Sequence, residues 1–247
     1  MDILSDRQSK LLDFIIKEFV KTAKPVGSEL TAKKAGFDIS PATIRNEMFE
    51  LERMGYLDQL HTSGGRVPTD KAYRQFVDKL IQKDEGPEPL SEEKRKIRSV
   101  ISSAEDPREL NKGIARALAD LCGAVVIAKI MSDPDFYKIG LSSLFEFPEF
   151  REVNRVFEMV NLFDSFESVF DKIERQFFKQ LDDEFQIFIG DENPFQVRET
   201  TILAKYYLPG DLRGSLTIIG PTRMDYEKNI SLVKYTTDEL NKLAYGK

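Results

Sequence analysis

The sequence predicts an α+β chain in two parts, and three observations carry that prediction. Within residues 1 to 83, apolar residues recur at helical spacing in three short segments, which are followed by two brief extended stretches around a Gly-Gly turn. Lys83-Asp84-Glu85-Gly86-Pro87-Glu88-Pro89 is charged, holds two prolines and a glycine, and lacks any large apolar residue, which is the composition of a linker. Beyond it, helical patterns mix with short apolar runs bounded by turn residues, as in a domain with a small, mainly antiparallel sheet. A length of 247 residues suits this division, drawn here as 1 to 83, a linker over 84 to 90, and 91 to 247.

In order along the chain, Leu11, Leu12, Ile15, Ile16, Phe19 and Val20 form one apolar face and predict a first helix over residues 6 to 22. Pro25 and Gly27 interrupt it. Ser28 can cap a short second helix closed by Gly36, and Ser40-Pro41 opens a third, with Ser as N-cap and Pro at the first helical position, that runs to Met54. Tyr56-Leu57 and Arg66-Val67 flank Thr62-Ser63-Gly64-Gly65 as a hairpin would, and Pro68-Thr69 starts another helix. Three helices with tight connections and then a small hairpin make a winged helix-turn-helix.

In the second part, Ser91 starts a helix with Ile97, Val100, Ile101 and Ala104 inward, and Asp106-Pro107 starts another carrying Leu110, Ile114, Leu118 and Leu121 up to Gly123. The unbroken apolar run from Ala124 to Ile130 predicts a strand buried on both faces. From Leu141 to Leu181 the chain is helical and rich in Phe, a density that suits a core or a subunit interface better than a ligand pocket. Phe185 to Ile189 reads as a strand, Thr201 to Leu208 and Leu216 to Ile219 as a hairpin across Pro209-Gly210-Asp211, and residues 225 to 243 as a last helix.

Composition removes several functions. With 41% hydrophobic and 32% charged residues the chain is neither disordered nor fibrous. The densest apolar run, Ala124 to Ala128, is far short of the roughly 18 residues a membrane span needs, and Met1-Asp2-Ile3-Leu4-Ser5-Asp6 lacks the basic and apolar regions of a signal peptide, so a cytoplasmic protein without membrane contact is expected. One cysteine, Cys122, and one histidine, His61, cannot assemble a structural zinc site, and no metal or cofactor is expected. No acid/base pair, phosphate loop or nucleophile motif supports an enzyme, and a catalytic reading of Glu192, Arg223 and Asp225 lacks a nucleophile or metal set.

Charge is unevenly spread. Residues 1 to 83 carry 14 basic and 12 acidic side chains, against 22 and 30 in the remainder, so the first part is the one able to approach a polyanion. Along the third helix Ile44, Met48 and Leu51 face the core, while Thr43, Asn46, Glu50 and Arg53, with Arg45 beside them, form a second stripe that the core does not use. A solvated polar face would look the same. In a major groove, however, Arg bonds guanine and Asn bonds adenine from the N-terminal turns of such a helix, and the hairpin after it brings His61, Thr62, Ser63 and Arg66 to the phosphates or the adjacent minor groove.

The phrases Pro25-Val26-Gly27-Ser28, Ala42-Thr43-Ile44-Arg45-Asn46-Glu47-Met48 with Leu51-Glu52 and Gly55-Tyr56-Leu57, and His61-Thr62-Ser63-Gly64-Gly65-Arg66-Val67-Pro68-Thr69 with Tyr73-Arg74 and Val77-Asp78, follow one another over about 75 residues. In order and spacing this resembles the heat-inducible transcription repressor family, HrcA. Ile189-Gly190-Asp191-Glu192-Asn193 and Ile219-Gly220-Pro221-Thr222-Arg223-Met224-Asp225-Tyr226 resemble the C-terminal, GAF-like half of the same repressors. The resemblance implies a GAF-like regulatory and dimerisation domain over 91 to 247. It also implies repression of heat-shock chaperone operons by a homodimer on an inverted-repeat operator of double-stranded DNA, relieved on heat stress, with chaperonin as corepressor. Ser40, Thr43, Arg45, Asn46, His61, Thr62, Ser63 and Arg66 are the DNA-binding residues expected on this reading.

Three departures accompany it. Gly65 stands in place of Ala and Leu60 in place of Pro, which predicts a looser wing. The middle is shortened: residues 124 to 130 lead almost directly to Tyr137-Lys138-Ile139-Gly140-Leu141 and Pro148-Glu149-Phe150, where family members carry an inserted dimerisation segment, so the Phe-rich helices are the expected substitute contact. The alternative function is a winged-helix regulator controlled by a small molecule held in the second domain.

Overall fold

A computed structural model describes residues 4–37, 39–60, 64–83, 87–177 and 185–246. His61, Thr62 and Ser63 lie outside the described residues, as do linker positions 84–86 and Phe178 and Leu181 of the Phe-rich stretch. The chain divides into two compact units, Met1–Glu85 and Gly86–Lys247.

The first unit consists of α1 (Asp6–Thr22), α2 (Ser28–Lys34), α3 (Pro41–Arg53), β1 (Leu57–Asp58), β2 (Val67–Pro68) and α4 (Asp70–Lys83). Helix α1 is fixed at its start by a reciprocal cap: Ser5 Oγ accepts from the Gln8 N–H, and the Gln8 side chain accepts from the Ser5 N–H. Its stripe of Leu11, Leu12, Ile15 and Ile16 is buried, as are Ile44, Met48 and Leu51 of α3 and Ala72, Tyr73, Phe76 and Val77 of α4. Side chains on these 3.6-residue periods meet in one core, and ion pairs Lys34–Glu18 (2.7 Å) and Lys79–Asp13 tie α2 and α4 to α1. Ser28 departs from its expected capping role. It is buried inside the first turn of α2, whose N-cap is Gly27 without a side-chain bond.

The wing is an antiparallel pair with Leu57 opposite Pro68 and Asp58 opposite Val67. Arg66 extends it by exchanging both backbone hydrogen bonds with Val26, at 2.8 and 2.9 Å. This brings Gly65 so close that a Cβ there would lie 2.6 Å from the carbonyl carbon and oxygen of Val26. The glycine therefore draws the base of the wing onto the α1–α2 connection, where the sequence predicts loosening.

The second unit holds a five-stranded antiparallel sheet in the order β4-β3-β7-β6-β5, from β3 (Val125–Ile130), β4 (Phe136–Ile139), β5 (Phe185–Ile189), β6 (Thr200–Leu208) and β7 (Leu212–Gly220). Its helices are α5 (Ser91–Ser103), α6 (Pro107–Cys122), α7 (Leu141–Leu144), α8 (Val153–Phe177) and α9 (Tyr226–Tyr245). Strand β3 is buried along its whole length. Val125 and Ile127 join Leu203 and Ile219 on one face, packed against Met159, Leu162, Phe166 and Phe170 of α8. The other face takes α6 and α9, through Tyr206, whose hydroxyl donates to Asn111 of α6, and Thr200, whose hydroxyl meets that of Tyr226 at 2.8 Å. Helix α5 packs on α6 and α9, so the unit is three layers, helices–sheet–helix.

Most of the Phe-rich stretch is core. Phe166 stacks on Phe195 and Phe170 at 5.0 and 5.4 Å, with Phe136 edge-on to Phe166 and Phe170. Phe145 and Phe157 instead stay exposed. No helix among the described residues is long and apolar enough to cross a membrane.

Candidate nucleic-acid interface

Helix α3 is presented by its own sequence. Ser40, extended at φ −67° and ψ 154°, caps it by accepting from the Thr43 N–H at 3.2 Å, and its hydroxyl also meets that of Thr43 at 3.0 Å; Pro41 follows at the first helical position. The Ser40 and Thr43 hydroxyls are thus engaged with each other at the helix start.

With Ile44, Met48 and Leu51 turned inward, 100° per residue places Ala42, Asn46, Phe49 and Arg53 on the opposite side, with Arg45 at its edge. All five are exposed. The acids of α3 are each engaged by an arginine of the same unit: Glu47 by Arg7, Glu50 by Arg53 at 2.8 Å, and Glu52 by Arg66 at 2.9 Å. Arg45 and Asn46, by contrast, make no side-chain hydrogen bond or ion pair among the described residues. The N-terminal half of the helix therefore offers an uncompensated cation and an amide to whatever approaches, and the positive end of the helix dipole adds to it.

Beside this face lies a cleft of about 630 Å³ between α3 and the base of the wing, lined by Ser28, Arg45, Met48, Gln59, Gly64 and Arg66. Arg66 does not reach out from it. Its Nε and terminal nitrogen both contact Glu52 Oε2 at 2.9 Å, and only 14% of its side chain is exposed. The structure therefore brings Ser40, Thr43, Arg45 and Asn46 together on one helix and turns Arg66 back onto that helix. Sequence reading passed over Phe49, which is 57% exposed. The available signal was its spacing, three residues from Asn46, four from Arg45 and off the core stripe.

The polar residues weighed as catalysts in the second unit have structural partners. Asp225 caps α9 by accepting from the Lys228 N–H at 3.0 Å, Glu192 accepts from the Ile189 N–H at 3.0 Å, and Arg223 pairs with Glu149. Desolvation pushes the Cys122 thiol up to about 12, which keeps it protonated near neutrality. Among the described residues no cluster of His, Cys, Asp and Glu could hold a metal ion.

Residues 3–82 match the family model described as winged helix-turn-helix transcription repressor, HrcA DNA-binding, and residues 70–230 match that of the HrcA protein C terminal domain. The chain belongs to the HrcA family. It is accordingly a DNA-binding transcription repressor and not an enzyme. It is 27% identical to the heat-inducible transcription repressor HrcA of Caldanaerobacter subterraneus subsp. tengcongensis over 341 aligned positions, covering 97% of each chain. Against the repressor of the same name from Carboxydothermus hydrogenoformans it is 27% identical, covering 99% of each. An alignment of 341 positions against 247 residues leaves at least 94 positions of the first comparison without a counterpart here, which is a real shortening. A crystal structure of a hypothetical protein at 2.2 Å resolution has a TM-score of 0.76 at 18% identity, covers 99% of each chain, and so shares the fold.

Proposed function

We propose that the chain represses heat-inducible transcription, as the name of its relatives states for them, by laying α3 in the major groove of an inverted-repeat operator. The observation that carries this reading is the outward face of α3, where Arg45 and Asn46 are exposed and unengaged on a helix rigidly capped at Ser40. Arg45 reads guanine and Asn46 adenine by paired hydrogen bonds. Ser40, Thr43, His61, Thr62 and Ser63 position the helix and wing against phosphates, while Arg66 holds the wing in place from behind. Residues 1 to 83 are the DNA-binding domain and 91 to 247 a GAF-like regulatory and dimerisation domain, joined by 84 to 90. Two copies about a two-fold axis match the symmetry of the inverted repeat. The protein works in the cytoplasm on chaperone operons. Chaperonin is the corepressor, and heat relieves repression by withdrawing it, since an effector shifts a repressor only by its difference in affinity for the competent and incompetent states.

A footprint of the purified chain on DNA upstream of chaperone genes, with and without chaperonin, tests target, symmetry and corepressor together. Protection of an inverted repeat, strengthened by chaperonin, is the expected result. Arg45→Ala or Asn46→Ala should weaken binding by roughly 1–3 kcal/mol and relax preference at one position of each half-site. Full affinity and unchanged preference in both variants would sink the recognition role of α3.

A further inference from the structure

A large apolar side chain stands exposed within the polar outward face of α3. Phe49 has 57% of its surface exposed, and the helical angle sets it between Arg45 on one side and Asn46 on the other. The core does not use it, because Ile44, Met48 and Leu51 already fill that side of α3. Neighbouring exposed positions are Ala42, two turns before it, and Arg53, one turn after. A single exposed apolar residue needs no explanation by itself. Here, however, it shares a face with two side chains that have the hydrogen-bonding capacity to read bases and no partner within the described residues.

A major groove presents donors and acceptors from every base pair but only one apolar group, the C5-methyl of thymine. A phenyl ring cannot satisfy the polar base edges, and desolvating them without a hydrogen bond is unfavourable. The chemistry of the groove therefore leaves one attractive contact for a ring in this position. We infer that Phe49 is a specificity-determining residue that packs on a thymine methyl group, so that each half-site requires a T·A pair near the base pairs bonded by Arg45 and Asn46. This rests on α3 being the recognition helix. Four residues of helix advance about 6 Å, against about 3.4 Å per base pair, so the thymine lies about two base pairs from the base that Arg45 bonds.

The experiment uses the full chain as wild type, Phe49→Ala and Phe49→Leu, each selecting duplexes from a randomised pool. Wild type should enrich a thymine at one position per half-site, F49A should lose that preference alone, and F49L should keep it. In the selected duplex, replacing that thymine by deoxyuridine removes one methyl group and should weaken wild-type binding about fourfold, while F49A binds both duplexes equally. Equal binding of the thymine and uracil duplexes by wild type, or an unchanged preference in F49A, overturns the inference and leaves the recognition role of α3 intact. No enrichment of any duplex by wild type overturns that role and this inference with it. A change in self-association of free F49A, measured by sedimentation, overturns it by placing Phe49 in a contact between copies.

Discussion

Arg66, expected from the sequence at the phosphates, is held in the structure by Glu52. A phosphate would have to displace a carboxylate already held through two nitrogens of a guanidinium that is 14% exposed. The same residue donates and accepts backbone hydrogen bonds with Val26, and Gly65 next to it admits no Cβ. Together these contacts set the angle of the wing to α3. Arg66→Ala and Glu52→Gln should therefore weaken operator binding by similar factors, and the double variant should be little worse than either alone. The dependence of affinity on salt should stay as steep as in wild type, because no phosphate contact is lost. A fall of about 0.9 in the slope of log K against log salt for R66A, with none for E52Q, would place Arg66 on a phosphate instead.

At the scale of the element, the proposed reading role of α3 depends on its first turn being held. Ser40→Ala removes the acceptor for the Thr43 N–H and should lower the unfolding free energy by about 1 kcal/mol, read as a shift of the denaturant midpoint at constant slope. An unchanged midpoint would show that Pro41 alone secures the helix start. Helices α1 and α3, strand β3 and the β6–β7 hairpin were all legible in the sequence, because each carries an unambiguous period, cap or turn. Strand β4 was not: Phe136–Ile139 is four residues long, half-buried throughout and interrupted by Lys138, so neither alternation nor an apolar run marks it. Phe49 escaped because a stripe sought by polarity skips an apolar residue standing in it. The partner of Arg66 escaped because it lies 14 residues away in sequence, joined by a hairpin whose approach no local pattern encodes.

At the scale of the whole molecule, the second unit is held by the layering of α8, sheet and α6 with α9. Of the charged side chains buried in that unit among the described residues, Glu199 is the most deeply buried. Glu199, just before β6, is 1% exposed; its Oε1 lies 3.3 Å from Arg155 of α8, and its Oε2 has no hydrogen-bond partner among the described residues. Burial pushes its carboxyl above the ordinary 4.5, more than its backbone hydrogen bond and the Arg155 charge hold it down, with Glu158 adding to the rise. A folded value above the unfolded one means that the folded chain keeps this proton longer than the unfolded chain does. The associated stability is complete below the unfolded value and is lost as pH rises through the folded one. Above pH 4.5 Glu199 is thus a cost borne by the whole cooperative unit. Glu199→Gln should raise the melting temperature at neutral pH, and the gain should shrink to nothing as pH falls below 4.5. A variant less stable than wild type at neutral pH would mean that attraction to Arg155 outweighs desolvation, and that the pair is a clasp between α8 and the sheet.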